Sequence, residues 1–189
     1  MSGTDARFSN EIAFCWATGI EDTFIPDEKP GFRALDEYAL TQHYERWEED
    51  LALAEATGSR AIRWGIPWYS VQPTRDRWDW EWTDRVIDRL VHKHNIIPII
   101  DLMHYGTPAW LDNSFINVDY PQHVAEYMGR AAERYASQTH YFTPHNEPVV
   151  NAEWCGQRGE WPPYLVGEDG FFKVLLPIAR GMALGSQAI

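Results

Sequence analysis

A chain of 189 residues, 44% of them hydrophobic, can bury one core, so a single globular domain over residues 1–189 is expected. The formal net charge of −12 makes nucleic acids and acidic membranes poor partners, because phosphate binding relies on Lys and Arg. No basic leader with a long apolar stretch opens the chain, and no window approaches the roughly 18 apolar residues of a membrane span, which points to a cytoplasmic protein with a small, uncharged ligand.

In chain order, Ile12 to Ala17 is a short apolar run ending before Gly19 and reads as a strand buried on both faces. A helix follows over about Thr41 to Thr57. Tyr44, Trp47, Leu51 and Ala54 recur there at spacings of three and four, and Gly58 stands where a glycine ends a helix. Arg60 to Ile66 reads as a second strand stopped by Pro67. The next helix is expected to be capped by Thr83 and to bury Val86, Ile87, Leu90 and Val91. Ile96 to Leu102 is a third strand, and Pro121 opens a helix with Val124, Tyr127, Met128, Ala131 and Tyr135 on one side. His140 to Asn146 supplies a fourth strand, weakened by Pro144. The tail from about Phe171 to Ile189 reads as helix, which Pro177 should kink or start.

This fourfold β-α alternation implies parallel strands covered by helices, a pattern shared by open doubly wound sheets and barrels. Arg63, Asp101 with His104, and Asn146 with Glu147 all fall late in a strand or just beyond one. In a (β/α)₈ barrel those ends face one cavity, where active sites are built. Cys15 and Cys155 are too few for a secreted disulfide framework and lack metal-ligand spacing, so both are expected to be reduced, and nothing in the sequence calls for a metal or cofactor.

Cleavage of a glycosidic bond needs a carboxyl group that delivers a proton, with burial and neighbouring negative charge raising its pKa. Glu147 in Asn146-Glu147-Pro148 follows an apolar strand and suits that role. Asn146 beside it can both donate to and accept from a sugar hydroxyl. The same tripeptide also reads as a loop pair opening a turn at Pro148. His104 and Tyr105, in the segment His104 to Leu111, are placed for sugar contact, although a His beyond a strand can serve structure alone. Arg63 reads equally as an orienting residue or a structural ion-pair partner.

The chain resembles glycoside hydrolase family 1, the β-glucosidase family, in four segments occurring in order. These are Phe14 to Thr18, Arg63 to Pro73, His104 to Leu111, and Asn146-Glu147-Pro148. Gly156 to Pro163 is similar to the family's Gly-rich loop. The resemblance implies the first four βα units of a (β/α)₈ barrel and a retaining O-glycosyl hydrolase. It implies Glu147 as acid/base, Asn146 on the 2-hydroxyl, His104 on a sugar hydroxyl and Arg63 orienting the catalytic carboxylates.

Two departures stand out. Where the family has a sugar-binding Gln after the first strand, this chain offers Glu21 and Asp22; and Pro144 and His145 replace the family's Thr and apolar residue. The resemblance also places the nucleophile in a later strand, so the chain is expected to carry the acid/base without it, acting through self-association or a complementing half-barrel. Glu21, Asp22, Asp101, Glu153 and Glu160 are the local carboxylates, each read here as solvated. The alternative is a carbohydrate-binding or scaffold remnant of the same fold.

Overall fold

The computed structural model describes residues 14–26, 30 and 35–189. Its sheet contains β1 (Ala17–Ile20), β4 (Ala61–Gly65), β5 (Ile97–Asp101) and β6 (Phe142–Thr143), all parallel and adjacent in sequence order. A separate antiparallel pair, β2 (Phe24–Ile25) with β3 (Leu35–Asp36), lies between β1 and β4 in the chain.

Helices connect the parallel strands. Between β1 and β4 come α1 (Glu37–Leu40), capped by the Asp36 carboxylate at the Ala39 N–H, and α2 (His43–Ala56). Gly58 follows α2 at φ +81°, the left-handed conformation that glycine adopts without a Cβ penalty. Next are α3 (Trp68–Val71) and α4 (Glu81–Asp88), the latter continuing as a π-helical turn over Arg89–Lys93. After β5, α5 (Tyr120–Tyr135) carries Pro121 in its first turn. After β6 come α6 (Pro148–Ala152), a π-helical turn over Glu153–Gln157 and α7 (Gly167–Ala188). Among the described residues no helix is long and apolar enough to cross a membrane.

The two faces of the sheet differ. Ile62, Trp64 and Ile100 alternate onto the face beneath the helices, where Trp47 and Leu51 of α2, Val86, Ile87 and Leu90 of α4, Tyr127 and Met128 of α5, and Val174 and Ile178 of α7 close the core. Each such aliphatic side chain contributes about 1.5–3 kcal/mol on burial. The other face carries Ala17, Gly19, Arg63 and Ile99, which are exposed or half-buried.

Four expectations need correction. The first strand begins only at Ala17, the last residue of the apolar run, and extends past it to Ile20. Phe14 and Trp16 are exposed, Ile12 and Ala13 lie outside the described residues, and β1 alternates exposed with half-buried because it is paired on one side only, by β4. Thr83 is inside α4 rather than its cap. Its hydroxyl turns back to the Trp80 carbonyl and accepts from Tyr135. α7 starts at Gly167 and runs through Pro177 instead of starting there, held by close packing on α5: a Cβ on Gly181 would sit 2.7 Å from Val124. The fourth strand shrinks to two residues, since Pro144 has no N–H with which to extend the ladder.

Candidate active site

Parallel register sets the positions. Arg63 pairs with Gly19 on one side and Ile99 on the other, while Asp101, the last residue of β5, pairs with Gly65 and Thr143. Arg63 and Asp101 project from the same face two residues apart along the sheet, and the Arg63 Nη2 donates both to Asp101 Oδ2 and, at 2.7 Å, to Asn146 Oδ1. His104 Nδ1 lies 2.7 Å from the same Asp101 oxygen. An ionised carboxylate only accepts, so Nδ1 carries the proton and Nε2 is left to accept from Asn146 Nδ2 at 3.3 Å. Arg63, Asp101, His104 and Asn146 thus close a ring of four hydrogen bonds spanning β4, β5 and the end of β6.

Glu147 adjoins this ring. It is the N-cap of α6, at φ 44°, and the Tyr105 hydroxyl donates to its Oε2. Tyr105 is itself at φ 77°; such left-handed backbone at non-glycine residues carries strain that only the surrounding contacts can hold. Its ring packs on Trp161 at 5.1 Å, and Trp161 stacks on Trp154 at 5.0 Å. Burial, followed by the bond to Glu147, pushes the Tyr105 phenol up from its usual value. Glu147 is exposed, not buried as the sequence suggested, because its left-handed backbone turns it out over the sheet rim and away from the helix-covered core.

Glu21 is also exposed, with Oε2 3.6 Å from His104 Nε2. Its neighbour Asp22 faces the other way and is buried. A Cβ on Gly65 would lie 1.8 Å from Asp22 Oδ1, so only glycine lets this carboxylate in against β4. Desolvation, then the charge of Asp101, holds the Asp22 carboxyl well above the usual carboxylate range. Of the local carboxylates, Asp22 and Asp101 are therefore interior groups rather than solvated ones, whereas Glu153 pairs with Arg158 at the surface. The ligand atoms of Asp22, Asp101 and His104 all lie within 4.8 Å of one another.

The six residues singled out in the sequence, Arg63, His104, Tyr105, Asn146, Glu147 and Glu21, fall at one end of the sheet. Asp101, which the sequence places with His104 at a strand end, joins the ring as the shared acceptor of Arg63 and His104. Trp161 lies in the Gly156 to Pro163 segment that the resemblance pointed to, and its packing on Tyr105 depends on how that loop folds. Cys15 is exposed, whereas Cys155 is buried and donates to Asn151 Oδ1.

Polar side chains gathered at the carboxyl ends of parallel strands, with helices over the opposite face, define the class of α/β proteins that includes the barrel glycosidases. The sequence profile of Glycosyl hydrolase family 1 matches residues 17–176, and the chain belongs to that family. It is 31% identical over 116 residues to a 1,4-beta-D-glucan glucohydrolase of Thermotoga neapolitana, covering 58% of this chain and 27% of that protein. It is also 31% identical over 163 residues to a 6-phospho-beta-galactosidase of Lacticaseibacillus rhamnosus, covering 80% and 31%. A beta-glucosidase from Thermotoga maritima solved in complex with glucoimidazole superposes with a TM-score of 0.71 at 25% identity, covering 77% of this chain and 34% of that one. The chain therefore spans only about a third, or less, of these relatives.

Proposed function

We propose that residues 1–189 form a single partial barrel domain, the first four βα units of a (β/α)₈ barrel, carrying the acid/base half of a retaining O-glycosyl hydrolase site. The closed ring of Arg63, Asp101, His104 and Asn146 beside Glu147 carries this reading, because it locks the groups a glycoside would meet before substrate arrives. Glu147 protonates the leaving oxygen and later takes a proton from water. Asn146 meets the 2-hydroxyl, His104, Tyr105 and Glu21 meet other sugar hydroxyls, and Arg63 acts by fixing the amide of Asn146.

The nucleophile, required about 5–5.5 Å from Glu147, comes from polypeptide outside these 189 residues, in the same chain or in another. A groove of about 580 Å³ along the outer edge of β1, lined by Thr18, Gly19, Glu21, His43 and Leu53, supports docking of a further βα unit there.

The test compares aryl β-glycosides in the assembly that supplies the second carboxylate. Glu147→Gln should lower turnover of glycosides with poor leaving groups by about 10²–10⁴-fold, and should largely spare the first step for dinitrophenyl glycosides, whose leaving group needs no proton. Equal losses on both substrates, or none, would remove Glu147 from the acid role. Sugar binding with no turnover in any assembly would instead support a carbohydrate-binding remnant.

A further inference from the structure

Asp22, Asp101 and His104 form a cluster whose chemistry the glycosidase reading does not use. All three side chains are more than nine-tenths buried. Asp101 Oδ2 is engaged by Arg63 and His104, yet its Oδ1 is buried without a hydrogen-bond partner among the described residues, and so is Asp22 Oδ1. A buried, unpartnered carboxylate oxygen costs several kcal/mol, so the pair calls for a compensating group. His104 Nδ1 lies 3.9 Å from Asp22 Oδ1, a separation that one ion bonded to both atoms at about 2.1 Å would span. A small cavity of about 10 Å³ lined by Asp22, His104, Phe24, Ile66 and Trp68 offers room for about one water-sized particle. Gly65 completes the cradle, since any side chain there would displace the Asp22 carboxylate.

We propose that Asp22, Asp101 and His104 bind one divalent transition-metal ion of the Zn²⁺ or Mn²⁺ type, tying the end of β1 to the end of β5. One imidazole nitrogen with two carboxylate oxygens suits such borderline ions better than Mg²⁺ or Ca²⁺, which take oxygen ligands. The two carboxylates match the charge of one divalent ion, and Arg63 remains paired with Asp101 Oδ2. Binding has a consequence for the neighbouring site. With the ion on Nδ1, the ring proton moves to Nε2, which then donates toward Glu21 Oε2 at 3.6 Å, and the Asn146 amide gives up its bond to that nitrogen. The ion would thereby reset which sugar oxygens His104 can recognise. Binding of the ion at this cluster requires neither Glu147 nor turnover.

The test uses the 189-residue chain stripped with EDTA and titrated with Zn²⁺, Mn²⁺ and, as the hard-cation control, Mg²⁺, followed by calorimetry and thermal unfolding. One equivalent of Zn²⁺ or Mn²⁺ should bind and raise the melting temperature, with Mg²⁺ at least tenfold weaker. Asp22→Asn should weaken the ion at least tenfold, because a neutral amide cannot supply the anionic ligand oxygen. The control His92→Gln, at an exposed histidine, should bind as the parent does. Absence of saturable one-to-one binding, or binding unchanged in Asp22→Asn, overturns the proposal. Should Asp22→Asn fail to fold, the ¹⁵N shifts of His104 in the parent chain decide. Movement of Nδ1 on adding Zn²⁺ supports the site, and an unmoved Nδ1 refutes it.

Discussion

His145 makes stability depend on pH in a way that can be worked from its surroundings. The ring is buried, its Nε2 accepts from Asn151 Nδ2 at 3.1 Å, and its Nδ1 has no partner among the described residues. Protonation would put a second N–H against the Asn151 amide donor and a charge in a dry interior. Burial, aided by nearby His104, accordingly lowers its pKa to about 3. The unfolded chain titrates near 6.5, so the neutral ring stabilises the fold above that value. The contribution is lost as pH falls from about 6.5 toward 3. Between pH 7 and pH 5 the unfolded state gains about one proton and the folded state almost none, a loss of about 2 kcal/mol. His145→Gln keeps a side chain that can bond Asn151 and removes the titration. Urea unfolding at pH 7, 6 and 5 should show the parent losing about 2 kcal/mol more than the variant over that range. Comparing the two chains cancels the opposing contribution of Asp22 and the parallel one of His43, whose pKa burial also lowers. Equal losses in the two chains would mean that the His145 ring takes up its proton without penalty, and would refute the reasoning.

Other perturbations probe the ring and the helix packing. Arg63→Met leaves the buried Asp101 carboxylate with His104 alone and should cost about 3–5 kcal/mol in urea unfolding. Tyr105→Phe removes the hydroxyl that donates to Glu147. In the assembled enzyme it should lower kcat/KM by about 10–100-fold, the equivalent of about 1.5–3 kcal/mol for a bond to a charged group, with little change in melting temperature. Gly170→Ala would bring a Cβ within 2.1 Å of the Gly156 carbonyl oxygen, where backbone meets backbone and neither can turn aside. It should destabilise by about 1–3 kcal/mol, measurable by thermal unfolding.

Much of the scaffold was legible because it rests on local periodicity. The α2 face of Trp47, Leu51 and Ala54 and the α5 face of Val124, Tyr127, Met128, Ala131 and Tyr135 are buried as their spacing required. β4 and β5 lie within the runs that suggested them. β1 was harder to place, since the apolar residues before it, Phe14 and Trp16, pack on nothing that would bury them. Pro177 misled because a proline's cost to a helix can be offset by tertiary contacts, here those of Gly181 and Gly185 against α5.

For the site, the sequence by itself determined which side chains stand at strand ends: Arg63, Asp101, His104, Asn146 and Glu147 occupy positions that hydrophobic runs define. Only the tertiary structure decided how they meet. Arg63 and Asp101 are 38 residues apart in sequence and touch because parallel register brings their strands side by side with both residues on one face. The same packing buried Asp22 behind Gly65 and left Glu21 and Glu147 exposed, a sorting of carboxylates that depends on neighbours from other strands and that no local pattern encodes.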